Sequence, residues 1–170
     1  MEENQQGFSL IEVLVSITIL SIISISLISI FSQSLSASRS STTLTFANYL
    51  AKNAVSYIEK EALEAQTGPF VFEELSKNAQ LTSLQETPPL ITPSCGVSVI
   101  CNSIFNDAQI NNLLFHVKYS VVSHEIDAKP SPDLIDLYVY VYVDGQSEPI
   151  TSLKGSITNA ALNQSFPSTK

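Results

Sequence analysis

From Phe8 to Phe31 the chain runs for 24 residues with a single charge, Glu12. At ~1.5 Å per residue a helix of that length reaches ~36 Å, enough to cross a hydrocarbon core ~30 Å thick with some tilt. After Gly7 the next Gly or Pro is Gly68. One helix is therefore expected from Phe8 to about Gln66, ~90 Å if unbroken. Its second half changes character. Residues 32–43 are mostly Ser and Thr, which compete for backbone hydrogen bonds and make this the weakest part of the helix. From Leu44 onward Ala47, Ala51, Ala54, Val55, Ile58, Ala62 and Ala65 recur at three- and four-residue steps, with Asn48, Lys52, Ser56, Glu59 and Lys60 on the other side. The apolar face is mostly alanine. A sheet laid across it fits better than a coiled-coil seam, which needs larger side chains.

Beyond the helix, Thr67-Gly68-Pro69 is a stop signal, and Pro69 to Ala79 suggests a short helix with Phe72, Leu75 and Ala79 inward. Thr87-Pro88-Pro89 and Pro93 mark a loop that leads into Cys95-Gly96-Val97-Ser98-Val99-Ile100-Cys101. The remainder reads as strands. Leu114 to Val122 alternates Phe115, Val117, Tyr119 and Val121 with polar residues, and Asp127 to Asp133, holding Pro130 and Pro132, is expected to be a connecting loop. Leu134 to Val143 is the clearest strand, with Ile135, Leu137, Val139, Val141 and Val143 on one face and Tyr138, Tyr140 and Tyr142 on the other. Asp144-Gly145-Gln146-Ser147 reads as a hairpin turn into a third, weaker strand from Ile150 to Ile157. The aliphatic face should pack on the alanine face of the helix. The tyrosine row is either a contact surface or, more commonly for such rows, a second face half covered by a loop.

A carboxylate has no use in a membrane span, where burying one costs on the order of 2.5–3.5 kcal/mol, so Glu12 is a functional candidate. The sequence around it carries a family pattern. A short polar leader ends in Gly7, followed by Phe8-Ser9-Leu10-Ile11-Glu12 and about 20 apolar residues. This resembles the class III signal of type IV pilins and of the pseudopilins of type II secretion. The resemblance implies cleavage after Gly7 by a prepilin peptidase and methylation of the new amine of Phe8. It also implies an assembly role for Glu12, fifth residue of the mature chain, in attracting the N-terminal ammonium of a neighbouring subunit. Two opposite charges that are each costly in lipid can compensate one another. The match is close over roughly the first 30 residues and architectural beyond. The leader departs from the usual pattern: Met1 to Gln6 holds Glu2 and Glu3 but no Lys or Arg, so charge bias does not set the orientation, which rests on the resemblance. An ordinary signal anchor or cleaved secretory signal is the competing reading, but the apolar run exceeds the usual 7–15 residues and no basic residue precedes it.

The resemblance implies an α+β, pilin-like fold: leader 1–7, a membrane-spanning helix half 8–31, a juxtamembrane and amphipathic half 32–66, and a head 67–170 with an antiparallel sheet. The roughly 100 residues of the head suit one small domain. In the 170-residue chain, 14% of residues are charged and the formal net charge is −8. Loss of Glu2 and Glu3 with the leader would bring it to −6. Arg39 is the only arginine, so direct nucleic-acid binding is not expected. In a chain displayed outside the membrane, Cys95 and Cys101 are best read as one disulfide, two reduced thiols being the alternative.

No catalytic constellation is present: the sequence has neither a Gly-rich phosphate loop nor a Gly-x-Ser-x-Gly elbow. His116 and His124, taken with the two cysteines, do not match structural zinc spacing, and Asp127, Asp133, Asp136 and Asp144 lack calcium-loop spacing. Neither enzyme activity nor a metal or cofactor is expected. The partners implied are other pilin or pseudopilin subunits, the prepilin peptidase and the cytoplasmic membrane, with the head extracytoplasmic and displayed on a surface filament. Within the family, Ile11-Glu12-Val13-Leu14-Val15 and the alanine-rich stem look most like minor pilins, which suggests a role in initiating assembly or at the tip. A minor pseudopilin of type II secretion, a competence pseudopilus, and a membrane-anchored adhesive or ligand-binding domain are the alternatives.

Overall fold

The computed structural model describes residues 9–65, 67–82, 88–106, 108–127 and 129–159. Gly7, Phe8 and the expected helix end at Gln66 lie outside the described residues. The chain divides into an N-terminal unit, Met1–Thr43, and a larger one, Leu44–Lys170.

The first helix, α1 (Leu10–Glu64), supplies all that is described of the N-terminal unit except Ser9. Every residue from Leu10 to Thr42 is exposed, and α1 is long enough, and apolar enough over part of its length, to cross a membrane by length and composition. Its hydroxyls turn back onto the helix. Ser16 donates to the Glu12 carbonyl, Thr18 to Val15, Ser21 to Ile17, Ser24 to Leu20 and Ser26 to Ile22, at 2.7–3.0 Å. A polar group satisfied within its own helix is tolerated in lipid, where no water can serve it. Residues 32–43 are helical throughout, and Thr42 and Thr43 bond back to the carbonyls of Ser38 and Arg39 in the same way.

In the larger unit the sheet is antiparallel and four-stranded, in the order β1 (Ala108–Ile110), β2 (Leu113–Ile126), β3 (Lys129–Val143) and β4 (Thr151–Thr158). Period-2 patterning puts Phe115, Val117, Tyr119 and Val121 of β2 and Ile135, Leu137, Val139, Val141 and Val143 of β3 in the core. From α1 the core takes Ala47, Leu50, Ala51, Ala54, Val55, Ile58 and Ala62. Leu44, expected on this face, is exposed, and Leu50 is buried in its place. Leu44 precedes the first buried residue, Ala47, by nearly a turn, so nothing covers it. The short helix expected after Gly68 is α2 (Phe72–Thr82), with Phe72, Leu75 and Ala79 buried. Phe70 joins Tyr57, Phe105 and Tyr119 in an aromatic cluster with ring centroids 5.6–6.1 Å apart.

Three expectations need correction. The loop expected across Asp127 to Asp133 is a tight turn at Asp127 followed by strand from Lys129. The prolines are tolerated because the register shifts there: β3 residues 131–134 are set against His124, between the pairs Ser123↔Ile135 and Glu125↔Pro130. Pairing with β4 begins only at Leu134, so the missing N–H groups of Pro130 and Pro132 take no ladder bond from β4. The stretch ending in Cys101 is not all loop. It enters a helix, α3 (Val99–Phe105), N-capped by Ser98, whose hydroxyl accepts from the Cys101 N–H at 3.3 Å. Strand β1 went unread altogether. It joins β2 through Asn111-Asn112, both at positive φ (52° and 61°), as a two-residue hairpin turn demands.

Candidate functional site

Glu12 lies in the first turn of α1, where the dipole of the helix favours a carboxylate. Its backbone N–H is held by Ser9, through the carbonyl at 3.0 Å and the hydroxyl at 3.3 Å. The side chain is exposed on a helix face shared with Ser16 and the apolar Val13, Ile17 and Leu20. Among the described residues its carboxylate has no hydrogen-bond or ion-pair partner. Gly7 and Phe8, the residues of the expected cleavage and methylation, lie outside the described residues.

Cys95 and Cys101 are joined as a disulfide. The ring they close is braced from within. Ser98 N–H donates to the Cys95 carbonyl at 3.0 Å, Asn102 N–H to the Ser98 carbonyl at 3.0 Å, and the Asn102 amide to the Gly96 carbonyl at 3.1 Å. Gly96, at φ 53°, supplies the left-handed residue that the turn requires. Cys101 is buried in the core while Val97, Val99 and Ile100 face solvent.

The outer face of the sheet carries the tyrosine row. Tyr138, Tyr140 and Tyr142 are half-buried, and cations lie over two of them: Lys154 Nζ is 5.4 Å from the Tyr138 ring and Lys118 Nζ 5.2 Å from that of Tyr142. Burial raises the pKa of the Tyr142 hydroxyl, with Tyr140 and Glu148 adding to the effect. Asp136, on the same face, accepts from Lys154 at 2.9 Å and lies 3.1 Å from His124 Nδ1. That hydrogen bond raises the pKa of Lys154. His116 faces Asp144 instead, at 3.7 Å. The two histidines are thus apart, each beside its own carboxylate. Among the described residues no group of three or more His, Cys, Asp or Glu side chains gathers into a metal-holding cluster. A cavity of about 410 Å³ beside His116 is lined by Lys118, Tyr142, Asp144, Asn106, Thr92 and Ser147, a mixed set of charged, polar and aromatic groups.

The exposed ring residues escaped the sequence reading because Val97, Val99 and Ile100 look like core when only hydrophobicity is visible. Their one sequence signal is the lack of any charge between Thr87 and Asn106.

Residues 4–30 match the family model described as the prokaryotic N-terminal methylation motif. No curated protein and no solved structure matches the chain. The match takes in Gly7, Phe8, Glu12 and the apolar start of α1, and supports a pilin or pseudopilin type of prepilin-peptidase substrate. With that motif opening a long apolar helix, and a four-stranded antiparallel sheet packed on the alanine face of the same helix, the chain has a pilin-like α+β architecture, and the motif supports a type IV pilin-like protein.

Proposed function

We propose that the chain is a structural minor pilin, cleaved after Gly7, N-methylated on Phe8 and acting in the initiation or at the tip of a type IV filament. On this reading residues 1–7 are the leader and 8–31 hold the protein in the cytoplasmic membrane before assembly. Residues 32–66 connect to a head, 67–170, outside the membrane. The partners are other pilin or pseudopilin subunits, met through the N-terminal helix. The role is mechanical, not catalytic.

The observation that carries the proposal is Glu12. It is the one charge in the apolar run, and no described group neutralises it. Among side chains the next cation is Arg39, 27 residues and ~40 Å of helix away. A neighbour's amine at its residue 8 is the cation that assembly would bring. The resulting pair selects for a partner because each charge is costly in lipid until it is matched.

The test is co-purification with sheared filaments for wild type, Glu12→Gln and Glu12→Ala, with N-terminal sequencing of the mature protein. The expected result is a mature start at N-methyl-Phe8 in all three and loss of co-assembly in both variants. A start near Ala37 or Ser38 would show ordinary secretion instead. Wild-type co-assembly of both variants would show that the charge has no part in assembly.

A further inference from the structure

The head carries an apolar knob that no described residue covers. Val97 is fully exposed (101% of its reference area), Val99 is 80% exposed and Ile100 64%. These three aliphatic side chains within four residues present on the order of 400 Å² of apolar surface, as large as the largest patch an ordinary monomer leaves in water. The segment itself is uncharged: from Thr87 to Asn106 no residue carries a charge, in a chain whose formal balance is −8. The backbone beneath is fixed by the Cys95–Cys101 bond, the Ser98 cap and the Asn102–Gly96 hydrogen bond. Valine and isoleucine lose little rotamer freedom when they dock. A rigid apolar point that costs little entropy to immobilise is built for shape-specific contact.

We infer that this knob docks into an uncharged apolar hollow on the head of a different filament subunit, one that is itself held in the membrane by its own helix. The inference rests on the filament reading proposed above. Three observations select this occupant. The first is area: about 400 Å² per partner falls well short of the ~800 Å² per partner of a stable free complex. The contact therefore works where a second attachment raises the effective concentration, as co-anchored helices do. The second is charge. A loop that enters lipid headgroups draws on Lys, Arg, Trp or Tyr, and the ring has none of these. The third is fit. The two cavities described on the head each hold charged side chains, Lys118 and Asp144 in one and Glu61 in the other, so neither is the uncharged hollow that a second copy would have to offer.

The experiment places a photo-crosslinking amino acid at Val97 of the full-length chain in its native cells, with the exposed Glu125 as control position. The expected adduct joins Val97 to a second protein of different sequence that carries an N-terminal methylation motif, with none from position 125. In parallel, the triple variant Val97→Ser, Val99→Ser, Ile100→Ser should fold as wild type, because it removes exposed groups only. Co-purification of that same partner from detergent extract should fall at least tenfold. No adduct, an adduct with lipid, or an adduct between two copies of this chain would each overturn the inference. If Val97 finds no neighbour while the chain starts at Phe8 and sediments with filaments, the knob alone is refuted. If the chain is neither cleaved at Gly7 nor found in filaments, the filament reading falls first, and an adduct with a membrane protein outside that class refutes the partner assigned here.

Discussion

At Gly155 the sheet lies close against α1, and replacing this glycine with alanine should push the two apart. In β4 it stands opposite Leu137 of β3, and a Cβ built there would lie 2.7 Å from Val55 Cγ1 and 3.1 Å from Glu59 Oε1. Carbon atoms pack best at ~3.5–4.0 Å, so the added methyl overlaps Val55 by about 1 Å. Glu59 is half-exposed and can swing away. Val55 is buried, and a valine on a helix has essentially one rotamer. Overpacking of this kind costs ~1–3 kcal/mol. Against it stands a gain of ~0.4–1 kcal/mol, since alanine restricts the unfolded chain more than glycine does. Gly155→Ala should therefore lose about 1–2 kcal/mol. Val55→Ala alone removes two buried methyl groups and should lose about 2 kcal/mol. The double variant places the new methyl where the old ones were, so its loss should fall short of the sum by at least ~1 kcal/mol. Urea unfolding of the full chain in detergent, followed by tyrosine fluorescence, measures all four proteins of the cycle. A Gly155→Ala protein as stable as wild type, or a strictly additive double variant, would refute the close approach.

Two further predictions concern the head. Mass spectrometry of non-reduced protein should show Cys95 joined to Cys101. Replacing both with Ser should cost no more than ~2 kcal/mol, because a ring of sequence separation 6 restrains the unfolded chain only slightly; free thiols, or a head that no longer folds, would contradict this. The second concerns alkaline pH. Burial pushes the Tyr119 hydroxyl from 10.0 up to about 12. Its folded pKa is thus raised, so its contribution is complete below pH 10 and is lost as pH rises from 10 towards 12. The loss is on the order of 2 kcal/mol. Ultraviolet absorbance of tyrosinate should then show Tyr119 ionising only as the sheet unfolds. Ionisation of all six tyrosines together, near pH 10 and with the fold intact, would sink the argument.

How much of this was legible in the sequence follows from what each signal encodes. Strand β3 could be read because Ile135 to Val143 alternates large aliphatics with tyrosines, and that pattern has one compatible geometry. The alanine face could be read for the same reason at helical period. Gly155 could not: a glycine within a weak strand looks like a blemish until the helix is seen lying over it. Proline was over-read at 130 and 132, because a breaker signal does not say whether the neighbouring strand extends that far. Helix α3 is only seven residues long and begins at a serine cap beside a cysteine, too short for any period to show. The Asn111-Asn112 turn, by contrast, was an available signal for β1. In the candidate site, the methylation motif over residues 4–30 was legible because such a signal is carried by the linear sequence itself, and the roles of Gly7, Phe8 and Glu12 within it are part of the proposal. The knob was not, since a row of Val and Ile says nothing about which side of the fold it will face.

On the filament reading proposed above, the bonding of the apolar half of α1 is what leaves one residue to govern what this segment associates with. Between Ser16 and Ser29 each hydroxyl has a hydrogen bond within the helix, five of them donating to a carbonyl three or four residues back and Ser29 accepting from Gln33. These groups ask nothing of a neighbour, so in lipid they distinguish poorly between a helix surface and acyl chains. The aliphatic side chains discriminate no better, because hydrocarbon is as apolar as isoleucine and burial against a second helix gains little from the hydrophobic effect. Small residues allow close approach but do not specify which helix approaches. Selectivity in this segment then falls to the group whose demand is unmet, and Glu12 is that group among the described residues. The serines make the helix compatible with many surroundings, and on that reading the single carboxylate makes one of them preferable.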